Sequence, residues 1–258
     1  MQMISLKEVQ EKAKSMNFNR MSPTRARQFR ENPARALYNL TGDYPWWSGD
    51  STALNYGTIV HSLAEDGMMV DLSDELKTNM LGKRGQTLKW AREAQVVGEH
   101  ARMFFDIIEG NKMYETELTI TNDDGSKFHG YADVINEDLN NRVTVYDIKT
   151  LNSVDFDRWL LKPAEWSREP DALHEYIKQI AFYTLVTNAD AAVLLFVRKS
   201  EDAPFLHEYK ILDAELVIAQ KEVLADMTYA LNVIKGIEPA TAINDGSKWA
   251  FSYFGGKI

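Results

Sequence analysis

The chain of 258 residues contains no cysteine. Disulfides, zinc–thiolate centres and iron–sulfur clusters held by thiolates are therefore excluded from it. Long apolar runs are also missing. The longest, Ala191 to Val197, is far shorter than a membrane-crossing helix needs. Met1 to Met16 is charged and amphipathic rather than an apolar leader, so no export signal is expected and a cytoplasmic setting is. No Gly-x-x-x-x-Gly-Lys-Ser/Thr occurs, which excludes a P-loop motor within these residues. Positive charge is in deficit, with a net −9. Such a balance opposes a polyanionic partner unless the charge is unevenly placed.

It is unevenly placed. Between Met1 and Arg35 eight basic residues stand against three acidic ones, which gives that segment +5. Arg25, Arg27 and Arg30 lie close together in it, and Lys83, Arg84, Lys89 and Arg92 form a second basic cluster. With 45% apolar and 26% charged residues, the chain can bury a full core.

The pattern predicts mixed α/β structure. Ile4–Met16 reads as an amphipathic helix, and Ser22-Pro23 and Asn32-Pro33 each open a short helix, the second ending near Gly42. Asp43–Asp50 reads as an aromatic-rich loop. Ser51 caps a helix to about Asp66, residues 68–82 are irregular or weakly helical, and Gly85–Gly110 is a long helix. Strands follow at Lys112–Thr121 and Ser126–Ile135, joined by a turn at Asn122-Asp-Asp-Gly125, and a third strand carries Val143–Thr150. Val154–Leu161 is a short helix, Lys162–Asp171 a loop and Leu173–Thr187 a helix. Strands at Ala191–Arg198 and Phe205–Ile211 precede a helix from Asp213 to about Lys235, and the tail from Gly236 reads as extended. The expected organisation is one domain over 1–258. It has a mostly helical part (1–110), a sheet with flanking helices (111–235) and the tail (236–258).

Chemistry concentrates in Gly130-Tyr-Ala-Asp133 and Val145-Tyr-Asp147-Ile148-Lys149-Thr150. Two carboxylates sit on adjacent predicted strands. Asp147 and Lys149, two apart, share one side of theirs. Val143, Val145 and Ile148 make that strand apolar, and charges there are costly unless paired or bound to a metal. Oxygen ligands suit magnesium or manganese, and an adjacent lysine can orient or deprotonate an attacking water. Elsewhere, Gly57-Thr58-x-x-His61 lies on a predicted helix with Glu65 one turn later, and Gln179 and Tyr183 share a face of another.

The order G-T-x-x-H, G-x-x-D, D-x-K-T, Q-x-x-x-Y resembles the RecB-like branch of the PD-(D/E)XK nuclease superfamily. Within it the chain is most similar to RecE (exonuclease VIII)-type phage and prophage recombination exonucleases. The likeness runs from about Ser22 to Tyr183. It includes Phe29 and Pro33 of the opening segment, where iron–sulfur relatives carry a cysteine just before the proline; here that residue is Asn32. The resemblance implies a restriction-endonuclease-like mixed sheet flanked by helices, with an N-terminal helical region. It implies Asp133, Asp147 and the Ile148 carbonyl as ligands of Mg2+ or Mn2+, and Lys149 as the catalytic cation or base. His61 would complete the metal shell or touch the scissile phosphate, and Gln179 would hydrogen-bond near the site or the DNA strand. Tyr183 would pack or bind phosphate. Glu117 is a candidate outer acid or ligand of a second metal, Glu65 a surface or outer residue, and Arg25, Arg27 and Arg30 a DNA track.

The implied activity is magnesium-dependent degradation of one strand of linear duplex DNA, 5′→3′, for recombination by single-strand annealing in a bacterial or phage-infected cell. The implied partners are double-stranded DNA ends, further copies of the chain in a ring, and a single-strand annealing protein; none is a membrane. A nuclease of single strands or flaps, and a non-catalytic DNA-binding protein, are the alternatives.

Overall fold

A computed structural model describes residues 4–46, 51–66, 72–161, 172–202 and 204–254, the last four of α7 by backbone only. In chain order the elements are α1 (Leu6–Ser15), β1 (Arg20–Met21), α2 (Pro23–Glu31), α3 (Pro33–Leu40), α4 (Thr52–Asp66), α5 (Asp74–Asn79) and α6 (Lys89–Ile107). Then come β2 (Asn111–Thr121), β3 (Lys127–Glu137), β4 (Val143–Asn152), α7 (Ser153–Leu161), α8 (Ala172–Thr187), β5 (Ala191–Lys199), β6 (Leu206–Lys210), α9 (Asp213–Lys235) and α10 (Lys248–Tyr253). The chain forms two compact units, Met1–Gly49 with Leu118–Gly130 and Val217–Ile258, and Asp50–Glu117 with Tyr131–Leu216.

The sheet has six strands in the order β1-β3-β4-β5-β6, with β2 paired to β3. β3 and β4 are antiparallel, β4 and β5 parallel, and β5 and β6 antiparallel. A parallel pair needs a crossover, and α7 and α8 supply it between β4 and β5. The middle of β4 (Val145 to Ile148) and of β5 (Ala192 to Val197) is buried on both faces, so both strands are near-continuous apolar runs. α6 and α4 supply Val97, Ala101, Phe105, Ile59, Val60 and Leu63 to the same core as Val134, Ile148 and Leu195.

The first unit is set by its caps. Ser5 and Glu8 close a capping box at α1. Ser22 caps α2 ahead of Pro23, and Asn32 caps α3 ahead of Pro33. Asn32 is fully buried, and its amide also donates to the Ile243 carbonyl at 2.8 Å and to Asp245 at 3.2 Å. This asparagine thus fastens residues from the far end of the sequence.

The extended tail expected after Gly236 is corrected at its end. Ser247 caps α10, and Trp249 is fully buried there, stacked on Tyr253 at 4.8 Å and edge-on to Tyr38 at 5.9 Å. Aromatics four residues apart gave this segment a helical face to bury. The irregular stretch expected over 68–82 contains α5, capped by Ser73. The long helix is shorter than Gly85–Gly110, and β1 was not foreseen. The loop expected at Lys162–Asp171 and the end of the aromatic loop, Trp47–Asp50, lie outside the described residues. Among the described residues no helix is long and apolar enough to cross a membrane.

Candidate active site

The site forms where two strands part. The β3–β4 ladder pairs Glu137 with Val143 and ends at Val134 with Tyr146. One step further the same register would set Asp133 opposite Asp147. Instead the Ile148 amide donates to Asp133 Oδ2 at 2.6 Å, so a side chain takes the place of a backbone carbonyl. β4 meanwhile stays paired with β5 as far as Asn152. Asp147 is 0% and Asp133 7% exposed. Alternation along β4 puts Lys149 on the side of Asp147, and Lys149 Nζ lies 2.6 Å from Asp147 Oδ2. Among the described residues no hydrogen-bond donor faces Asp147 Oδ1.

Helix α4 adds His61, whose Nδ1 is 3.3 Å from Asp133 Oδ1. Strand β2 adds Glu115. One ligand atom from each of His61, Glu115 and Asp133 lies within 4.8 Å of the others. Glu65, one turn beyond His61, abuts Glu115. Glu117, the additional acid expected on β2, is exposed and lies outside this cluster; Glu115 takes that place. The two share a strand face by alternation, so spacing alone does not choose between them. The backbone does: Glu115 has φ 42°, a left-handed conformation uncommon for a residue with a side chain. A cavity of about 510 Å³ adjoins the cluster, lined by Gly57, Thr58, His61, Ser62, Glu65 and Glu115 among others.

The charges are strongly interdependent. Burial works to raise the Asp133 carboxyl, but His61, Lys149 and the Ile148 amide hold it below the usual range. Burial and the neighbouring Asp133 push Asp147 up to about 6, against the pull of Lys149. Burial opposes the charge on Lys149, yet Asp147 and Asp133 outweigh it and keep the ammonium protonated. Burial likewise opposes protonation of His61, and Asp133 reverses this to about 9. Burial and Glu115 drive Glu65 up to about 8. Crowded carboxylates with one unpartnered buried oxygen and an imidazole form a donor set that fits a hard divalent cation such as Mg2+ or Mn2+.

Helix α8 supports the lysine. Gln179 Oε1 accepts from Lys149 Nζ at 3.3 Å, and Gln179 Nε2 donates to the Tyr183 hydroxyl at 2.8 Å. Lys149 Nζ also lies 5.0 Å from the centre of the Tyr176 ring. Tyr176, Gln179 and Tyr183 fall on one face at helical spacing. Tyr183 is only 3% exposed, so its expected contact with DNA is corrected: it is an internal prop for Gln179. Tyr176 was not singled out from sequence; its spacing three residues before Gln179 was the available signal.

The arginines expected to track DNA lie in the other unit, on α2. Arg25 sits 5.0 Å over the Phe18 ring, Arg27 pairs with Glu31 at 2.6 Å and Arg30 with Asp226 at 3.4 Å. In the second basic cluster Arg92 lies 3.5 Å from Glu201.

No curated protein sequence matches the chain. Among solved structures it is similar to a protein from Eubacterium rectale that carries the provisional designation of exonuclease. The identity is 17% and the TM-score 0.66, over 92% of this chain and 89% of that one. An alkaline exonuclease from Laribacter hongkongensis aligns over 88% of this chain and 95% of its own at 14% identity, with a TM-score of 0.40 that carries no argument. The first likeness shows a shared fold, a mixed sheet with flanking helices. Residues 22–241 match the family described as PDDEXK-like domain of unknown function (DUF3799), and the chain belongs to that family.

Proposed function

We propose that the chain is a metal-dependent deoxyribonuclease, an exonuclease that degrades one strand of linear duplex DNA 5′→3′ and serves recombination by single-strand annealing. The observation that carries the reading is the opening between β3 and β4, where Asp133, Asp147 and Lys149 converge. The exonuclease designation of the Eubacterium rectale protein agrees with it. A cytoplasmic setting, a ring of several copies and a single-strand annealing partner belong to the same proposal.

Asp133, Asp147 and the Ile148 carbonyl would hold Mg2+ or Mn2+, with His61 beside them. When bound, the cation supplies a nucleophilic water at neutral pH and polarises the phosphoryl oxygens. Lys149 is kept charged by two carboxylates, which favours charge stabilisation at phosphorus over proton abstraction. Gln179 fixes the direction of its ammonium, and Tyr183 fixes Gln179. Asp133, through the Ile148 amide, holds β3 and β4 at the separation the site needs.

The test is digestion of end-labelled DNA with Mg2+ or Mn2+: linear duplex, nicked circle and single strand side by side, with 5′-phosphate and 5′-hydroxyl ends compared. Mononucleotide release from linear duplex, with the nicked circle spared, is expected. Faster loss of the single strand transfers the assignment to a single-strand or flap nuclease. Tight DNA binding without cleavage in either metal, unaltered in Asp147→Ala, would make it a binding protein.

A further inference from the structure

We propose that the site holds two divalent cations, and that His61, Glu65 and Glu115 form a second position bridged to the first by Asp133. The inference rests on the metal-dependent reading above. Asp133 faces two ways: Oδ2 is engaged by the Ile148 amide on the side of Asp147, and Oδ1 points to His61 at 3.3 Å. On the His61 side, ligand atoms from α4, β2 and β3 converge within 4.8 Å, a spread one cation can span. Glu65 brings a fourth group. Its Oε1 is buried without a hydrogen-bond partner among the described residues, although it abuts another carboxylate. A desolvated carboxylate with no donor is costly, and a cation between Glu65 and Glu115 removes that cost.

A separate observation comes from the other side of Asp133. Asp147 is fully buried, and its Oδ1 likewise lacks a hydrogen-bond donor among the described residues. Unpartnered buried carboxylate oxygen thus occurs on both sides of Asp133. One ion against Asp147 leaves Glu65 unanswered, and one ion against Glu115 leaves Asp147 unanswered. The cavity lined by His61, Glu65 and Glu115 gives the second position access to water, which a magnesium or manganese shell requires. Paired ions of this kind lie about 3.5–4 Å apart and clamp the attacking and leaving oxygens of an in-line displacement.

The test is Mn2+ binding to the full chain without DNA, read by calorimetry and by electron paramagnetic resonance. The wild type is expected to bind two ions per chain and to show the dipolar broadening of a close pair. Glu65→Gln with Glu115→Gln is expected to bind one ion and lose the broadening; Asp147→Asn, by contrast, is expected to lose the first position. Two ions retained in the double variant overturn the second position, as does a single ion without broadening in the wild type; this second outcome needs no variant. No Mn2+ bound by the wild type overturns the metal-dependent reading itself, so the two failures are distinguishable.

Discussion

Asp133 and Ile148 are joined by a 2.6 Å hydrogen bond from backbone amide to carboxylate, one residue past the end of the β3–β4 ladder. Asp133 is therefore both a candidate metal ligand and the clip that ends the strand pairing. Asp147 makes no such bond. The two acids differ in duty although the sequence presents them alike.

That difference is measurable. Both Asp133→Ala and Asp147→Ala are expected to abolish cleavage, because each removes a ligand. Asp133→Ala should also lower stability by about 1.5–3 kcal/mol, the range for a hydrogen bond to a charged group. Asp147→Ala relieves a carboxylate that is buried and pushed up to about 6, so its stability in EDTA should stay close to wild type. Urea denaturation in EDTA beside a nuclease assay checks this. Equal destabilisation by the two would remove the structural duty from Asp133, and robust cleavage by Asp147→Ala would sink the site.

Lys149→Ala should retain DNA binding in Ca2+, which supports binding with little cutting, while single-turnover cleavage in Mg2+ falls about 100-fold or more. An interaction realised mainly in the transition state lowers rate and not affinity. Arginine should not restore the rate. The ammonium sits 2.6 Å from Asp147, 3.3 Å from Gln179 and 5.0 Å from the centre of Tyr176, a pocket fitted to a compact charge and not to a planar fork. A fall in binding that matches the fall in rate would make Lys149 a ground-state phosphate anchor.

The order of elements was legible in the sequence because its signals are local. Ser-Pro and Asn-Pro caps, the Asn122–Gly125 turn and the apolar run of β5 each act within a few residues. Asp147 and Lys149 were legible together because strand periodicity is two. Glu115 was not, since alternation cannot separate it from Glu117; the choice lies in a single positive φ. Tyr183 as a prop was hidden because burial of a helix face depends on what packs over it. β1 is two residues long, too short for any periodicity, and exists only through its pairing with Phe128 and Lys127.

The tail offers a stability test independent of the site. Trp249 is fully buried between Tyr38 and Tyr253. Trp249→Ala should cost about 3–5 kcal/mol, as large-to-small changes of buried aromatics do. Chemical denaturation monitored by circular dichroism reads it. A loss under about 1 kcal/mol, the scale of a surface change, would mean that α10 does not contribute to the core.

The arginines of α2 decide whether the basic end of the chain meets DNA. Arg27 and Arg30 each have a carboxylate within reach, Glu31 at 2.6 Å and Asp226 at 3.4 Å, and their side chains are more than a third exposed. Exposed pairs of this kind are worth only about 0–1 kcal/mol. A phosphate can therefore compete for either guanidinium at little cost to the fold. If both touch DNA, Arg27→Gln with Arg30→Gln should weaken binding about equally for all sequences. It should also lower the slope of log K against log salt by roughly 2, near 0.9 for each phosphate that is no longer neutralised. Binding titrations in Ca2+ at several salt concentrations, with a denaturation curve for the same variant, give both quantities. An unchanged slope with reduced stability assigns the two arginines to Glu31 and Asp226 alone. An unchanged fold with the slope reduced places the phosphate backbone against α2, which would turn the +5 of the first 35 residues into the electrostatic footprint that the net charge of −9 conceals.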